Sequence, residues 1–243
     1  MLWFCKPKPL NVYFYTTRQE VFDFSKPERF GKAVPEWYKS LPPPSFPTDP
    51  DAELCLMPNI KTCAGFQNLY KSGFVFKLWS DLNVEINTNG TYRYQFADKT
   101  SAIKCHPSGQ LGNCEFKNSY AHLKLMNPWF MSADKDVNFM FTPPTWNGFG
   151  YGDIVVPPGA YSPHVTTLDA NINLFFKVKQ STVIHELKFG QPLVHVVPLT
   201  ERRIKLHYEL ISEQELHKIM NKTPFFLMGH NRFNRTKKLC SHV

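Results

Sequence analysis

Residues 182–210 read TVIHELKFGQPLVHVVPLTERRIKLHYEL, and this run decides the fold class. Val183, His185, Leu187 and Phe189 alternate with their neighbours, as in a strand with one buried face, whereas Leu193 to Val197 form an almost unbroken apolar run, as in a strand covered on both faces. Gly190-Gln191-Pro192 supplies a turn between them, and a charged third strand follows without a gap. The stretch reads as the inner wall of a β-sandwich or barrel.

Working outward, the same signature recurs. Leu10 to Thr16 is a strand with aromatics on both faces, and Phe74 to Ile86 alternates before a turn at Asn87-Thr-Asn-Gly90 and a return strand at Thr91 to Phe96. Further strands are expected around 122–126, 137–141, 153–156 and 170–178. Helices are few: one over Lys32 to Leu41 with Pro35 in its first turn, one over Thr62 to Gly73 with the glycine as C-terminal cap, and one opened by the capping box Ser212-Glu-Gln-Glu215. The expected fold is mostly β, a single sandwich or jelly-roll-like domain with two or three short helices.

The chain has 243 residues, enough to bury a sizeable core, and its 21 phenylalanines suit a sandwich interior filled by flat rings. Twenty prolines favour stiff connections over long helices, most visibly in the Pro- and Asp-rich strap 42–58. The first five residues are apolar, but Lys6-Pro-Lys-Pro9 interrupts them too early for a secretion signal, and no apolar run is long enough to span a bilayer. The six cysteines form no CxxC pair or regular framework, which reads as reduced thiols and a cytoplasmic site of synthesis.

Charge divides the chain in two. Of a net +8, five charges come from Lys222, Arg232, Arg235, Lys237 and Lys238, with no acidic residue after Glu215. The expected organisation is a β-rich domain over 1–222 and a basic extension over 223–243. Phe225, Phe226, Leu227 and Met228 give that extension an apolar anchor, so Phe225, Phe226, Arg232, Arg235, Lys237 and Lys238 are the expected partner-binding residues. A protein partner or self-association is the first expectation. Phe233 among the cations also suits stacking on the bases of a nucleic acid.

Residues that could carry chemistry do not assemble into a convincing set. His164, Asp169, His185 and His195 are the candidates for a His/carboxylate metal centre of cupin or oxygenase type, but the five-residue step from His164 to Asp169 straddles a loop and a strand start, and single histidines on strands are ordinary core residues. Cys105, His106 and Cys114 lack the close pairing of a structural zinc site. Gly148-x-Gly-x-Gly152 is followed by Asp153 and no helix start, which argues against nucleotide binding. No catalytic residue and no cofactor is expected, and the reading leans away from an enzyme.

One resemblance joins these features. Trp37 with Leu41-Pro42, Ile60-Lys-Thr-Cys63, Gly73, Asp81, Asn127-Pro-Trp129, Pro143-Pro144, Phe189-Gly-Gln-Pro192, Val197-Pro198 and Arg202 occur in an order that resembles an uncharacterised family of phage and bacterial proteins, DUF6065-like and common among T4-like marine phages. The likeness spans residues 37–210 and departs from the pattern at Cys63-Ala64, where Cys-Pro is expected. It implies a phage origin and a compact β fold, and carries over no catalytic residue. The expectation is therefore a phage-encoded structural or interaction protein, a minor virion component found in the host cytoplasm or the virion, with a metal-dependent cupin or oxygenase-like enzyme as the alternative.

Overall fold

The structure is a computed structural model that describes residues 7–43, 59–105, 112, 114, 118–148, 152–163 and 168–221. The chain opens with β1 (Leu10–Thr16), α1 (Gln19–Phe24), β2 (Glu28–Arg29), α2 (Glu36–Lys39) and α3 (Ala64–Lys71). Strands then follow in series: β3 (Phe74–Lys77), β4 (Leu82–Ile86), β5 (Tyr92–Phe96), β6 (Ile103–Cys105), β7 (Tyr120–Leu125), β8 (Phe130–Ala133) and β9 (Phe139–Thr142). The remainder is β10 (Ile154–Val155), β11 (Gly159–Tyr161), β12 (Leu168–Asp169), β13 (Ile172–Lys177), β14 (Val183–Leu187), β15 (Pro192–Pro198), β16 (Ile204–Leu210) and α4 (Glu213–Asn221). The molecule is mostly strand, sandwich-like, with short helices, as expected from the alternation.

Four sheets form, in the orders β12-β8-β1-β16, β10-β13-β7-β6, β11-β9-β15-β3-β2 and β14-β4-β5. One apolar core draws on all of them, from Leu10, Val12 and Phe14 through Phe74, Phe76, Val84, Leu123 and Leu174 to Val196 and Ile204. Phe14 meets Phe74 and Phe76 edge-on at 5.1 and 5.8 Å, which joins the first sheet to the third. Trp129 is buried beside them and donates its indole N–H to Ser25 O at 2.8 Å, while Asn127 caps the corner by accepting from Trp129 N and donating to Ala170 O. The Asn127-Pro-Trp129 corner thus anchors the chain to the core.

The third sheet is covered on both faces, which explains the apolar run of β15. Val194 and Val196 of β15 and Phe74 and Phe76 of β3 join the main core. Val75 faces the other way into a second, smaller core with Phe30, Phe66 and Tyr70, supplied by α3 and a 3-10 turn over Phe30–Ala33. His195 of β15 lies on that same side, stacked on Phe30 at 3.7 Å.

Several expectations are corrected by the structure. The three strands of residues 182–210 do not stand side by side: β14 pairs with β4, β15 with β3 and β9, and β16 runs parallel to β1, so each enters a different sheet. The turn at Gly190 (φ +79°) therefore passes the chain between sheets and leaves Phe189 51% exposed, outside the alternation. The stretch 74–86 likewise splits into β3 and β4, in separate sheets. The helix expected over Lys32 to Leu41 is broken by Pro35, which holds an extended conformation before α2 instead of sitting within a first turn. A fourth helix, α1, was not expected: it buries only Val21 and has no side-chain cap, so it leaves little periodicity to read. By contrast the hairpin β4–β5 and the capping box hold as read, with Ser212 N donating to Glu215 Oε2 at 2.9 Å and Glu215 N to Ser212 Oγ at 3.3 Å.

Gly73 is the tightest backbone approach between the two cores. Its φ is +69°, and a Cβ there would stand 2.0 Å from Val196 O and 3.1 Å from His195 Nε2. Gly73→Ala combines a left-handed backbone with a clash against a central strand, so we expect a loss of about 3 kcal/mol in urea unfolding, against about 1 kcal/mol for Gly112→Ala, whose backbone is also left-handed but whose surroundings are open.

Candidate functional sites: an aromatic ledge and a cleft

The first site grows from His195. Its Nε2 lies 2.9 Å from Ser72 O, at the end of α3, and the ring is 1% exposed. From there rings follow one another outward: Phe30 to Tyr70 at 4.4 Å, Tyr70 to Phe66 at 4.7 Å and Phe66 to Tyr38 at 4.4 Å. Trp37 and Trp146 end the series, 6.1 Å apart, with the Trp37 indole N–H donating to Trp146 O at 3.0 Å. Tyr70 donates its hydroxyl to Asn147 Oδ1 at 3.0 Å, and Asn147 Nδ2 donates to Ala33 O, which fixes the 3-10 turn Thr145–Asn147 beneath Trp146. Trp37 and Trp146 remain 42% and 38% exposed. With Pro35, Thr145, Asn147, Gly148 and Pro192 they line a hollow of about 580 Å³ that holds no charged residue among those described.

The second site lies on the face of the β7–β13 pair turned away from the core. Alternation sends Ala121, Leu123, Leu125, Ile172, Leu174 and Phe176 inward, which leaves His122, Lys124, Asn173 and Phe175 on the opposite face. The antiparallel register sets Asn173 opposite Lys124 and Phe175 opposite His122, whose rings meet edge-on at 4.5 Å. Residues 156–161 pass over this face because β11 pairs with β9, and the result is a cleft of about 530 Å³. Phe141, Tyr161, Phe175, Pro157 and Pro158 give it apolar walls, and His122, Lys124, Asn171 and Asn173 its polar groups. The side-chain amide oxygens of Asn171 and Asn173 are buried and accept no hydrogen bond, at a cost of about 1–3 kcal/mol each.

Of the sequence-derived metal candidates, the two described side chains, His185 and His195, lie apart. His185 stands on β14 against Phe176 at 5.3 Å, whereas His195 is in the second core on another sheet. Burial lowers the pKa of His185, opposed by the charge of Asp153 and assisted by that of Lys179, and its Nε2 is buried without a partner. Asp169 belongs to β12, of which only the backbone is described, and His164 lies outside the described residues. Among the described residues no three His, Cys, Asp or Glu side chains gather as a metal ion would require. Cys63, Cys105 and Cys114 are exposed and form no disulfide. Phe225, Phe226, Arg232, Arg235, Lys237 and Lys238 lie outside the described residues, as does 44–58 of the expected strap. No helix among the described residues is long and apolar enough to cross a membrane.

No protein-family model, curated protein or solved structure matches the chain.

That Trp37 and Trp146 meet depends on α2 and the 145–147 turn docking on α3, which no local pattern states. The cleft has a sequence signal: Asn171, Asn173 and Phe175 alternate with core residues, as do Tyr120, His122 and Lys124.

Burial of His195 has a measurable consequence, because desolvation holds its pKa down to about 4 against the Ser72 carbonyl that favours the charged form. Below pH 6.5 the unfolded chain takes up a proton that the native state refuses, so this contribution is complete above that pH, is lost as pH falls toward about 4, and is level below it. The loss amounts to about 3 kcal/mol at 1.36 kcal/mol per pKa unit. Urea unfolding at stepped pH is expected to show this decline in the wild type and a flatter profile over the same window in His195→Gln. Asp98, whose pKa is lowered to about 2 because hydrogen bonds from Ser101 and Thr100 outweigh its desolvation, acts only in a more acidic window, below pH 3.8.

Proposed function

We propose that this chain is a structural or interaction protein, encoded by a phage and carried as a minor virion component, which holds a protein partner on the Trp37/Trp146 ledge. The observation that carries the reading is the ledge itself: two tryptophans kept in solvent on a stack of rings that continues to a buried strand. Tryptophan supplies large contact area at a small entropic cost, which is why it dominates binding hot spots. The hollow beside it carries prolines and no described charge, so the complementary segment is uncharged and rich in proline or aliphatic residues, bound in extended form. The phage setting rests on the family resemblance of residues 37–210. In this reading the basic extension 223–243 adds a second contact, its cations setting orientation on an acidic surface.

Mass spectrometry of purified particles of the encoding phage is expected to find the protein. Trp37→Ser with Trp146→Ser should deplete it from the particles, while the isolated protein stays folded at a cost of a few kcal/mol for the two half-buried rings, read by urea unfolding. Absence of the wild-type protein from particles would remove the virion role, and undiminished incorporation of the double variant would remove the ledge from it. Deleting residues 229–243 is expected to leave the unfolding curve unchanged and to weaken association, a loss that high salt reproduces in the full chain because exposed charge pairs are screened over about 8 Å at physiological ionic strength.

A further inference from the structure

Alternation on β7 and β13 sends one set of side chains away from the core, and the registers line them up in rows. Tyr120 stands opposite Lys177, His122 opposite Phe175 and Lys124 opposite Asn173, while Lys104 of β6 stands opposite Lys124. Cations therefore hold both ends of this face, about 13 Å apart along the strands at about 3.3 Å per residue. Rings fill the interval: Tyr120 and His122 meet Phe175 at 6.1 and 4.5 Å. Lys104 and Lys177 are exposed, and Tyr120, Lys124 and Phe175 are half-buried. None of the three lysines makes an ion pair among the described residues, and Asp153, the carboxylate whose charge reaches Lys177, is already paired with Lys179. Two lysines opposed across a strand pair repel, a cost with no return in folding. The cleft of about 530 Å³ opens on the same face, with Phe141, Tyr161 and Pro157 among its walls and no described acidic residue in its lining.

We propose that this sheet face is a binding surface for single-stranded nucleic acid. Positive charge without partners at the two ends of a line is complementary to a chain of evenly repeated anions, and the rings between the cations offer flat apolar surface where such a chain carries its bases. The phosphates meet Lys104 and Lys124 at one end and Lys177 at the other. One base lies against Phe175 and Tyr120, and the cleft beside them takes a neighbouring base next to Phe141 and Tyr161. A duplex fits poorly, because its bases are already stacked and paired and only its phosphates reach the face. An acidic peptide satisfies the lysines but leaves the rings uncovered. The surface is separate from the tryptophan ledge and does not depend on it, and it is distinct from the basic extension 223–243, so the two basic regions are separable by mutation.

Fluorescence anisotropy with a labelled oligothymidine of about 12 nucleotides tests the assignment, on the full chain and on a full chain carrying Arg232→Gln, Arg235→Gln, Lys237→Gln and Lys238→Gln. Both are expected to bind. In the second background, Lys104→Gln, Lys124→Gln and Lys177→Gln together should weaken binding at least about tenfold and lower the slope of log K against log salt by about 2, at about 0.7 per phosphate contact on a single strand. Phe175→Leu should weaken binding about fivefold or more and leave that slope unchanged, with circular dichroism showing the sheet intact; Tyr120→Leu is read in the same way where Phe175→Leu does not fold. The corresponding duplex and a polyglutamate of similar length are expected to bind at least about tenfold more weakly. The proposal is overturned if the extension variant no longer binds, if the triple lysine variant binds as its parent does, if duplex or polyglutamate binds as tightly as the single strand, or if the folded ring variant binds unchanged.

Discussion

One polar side chain in an otherwise apolar strand sets the placement of much of this molecule. His195 sits in the middle of β15, on a sheet whose two faces are both covered, and burial there is affordable only for a neutral imidazole that keeps a hydrogen bond. The bond goes to Ser72 O, which fixes the end of α3 against the sheet. Gly73 follows at once, the residue that lets the backbone pass close to Val196 O. With α3 held, Phe66 and Tyr70 take up their positions, α2 packs Tyr38 and Trp37 against Phe66, and the 145–147 turn is tied down through Asn147. The ledge is thus the outer end of a constraint that begins in the sheet.

The two sites differ in how the protein treats its polar groups. Along the ring stack four polar contacts are completed internally: His195 to Ser72, Tyr70 to Asn147, Asn147 to Ala33 and Trp37 to Trp146. Such a network rigidifies, and a rigid ledge loses little entropy when a partner lies on it. Beside the cleft, Lys104 and Lys124 stand opposed across β6 and β7 with neither in an ion pair among the described residues, a local cost that a folding optimum would remove by reversing one charge. Natural proteins carry such costs mainly where function requires them.

Sheet content and core membership were legible because both depend on a period of two. The burial alternation in β1, β7 and β13 follows the sequence, and the apolar run of β15 correctly signalled a strand covered twice. The capping box and Gly73 were legible for the same local reason, that one backbone conformation demands one residue type. Pairing was not. Nothing in residues 182–210 says that three consecutive strands enter three sheets, since each finds its neighbour far away: β16 pairs with β1, 194 residues apart at Leu10 and Ile204. Both candidate sites are products of such pairing. Lys124 and Asn173 become neighbours only through the β7–β13 register, and Trp37 reaches Trp146 only through α3. His195 is the ordinary case of a strand histidine, used to fill a core with its ring hydrogen-bonded to Ser72 O.

The ledge and the cleft are nevertheless joined by two neighbouring strands. On β15, Val194 lines the cleft and His195, the next residue, supports the ring stack; on β9, Phe141 lines the cleft, and the chain beyond Thr142 leads into the turn that carries Trp146. Successive residues of a strand point to opposite faces, so this β9–β15 pair presents one site on each side of a single sheet. Packed sheets are bistable or fixed and do not deform continuously, so occupancy of one face reaches the other only if β15 shifts as a body. The hydrogen bond of His195 to Ser72 and the close seat of Val196 on Gly73 oppose that shift. The arrangement therefore favours two independent binding surfaces on one stiff support over a coupled pair.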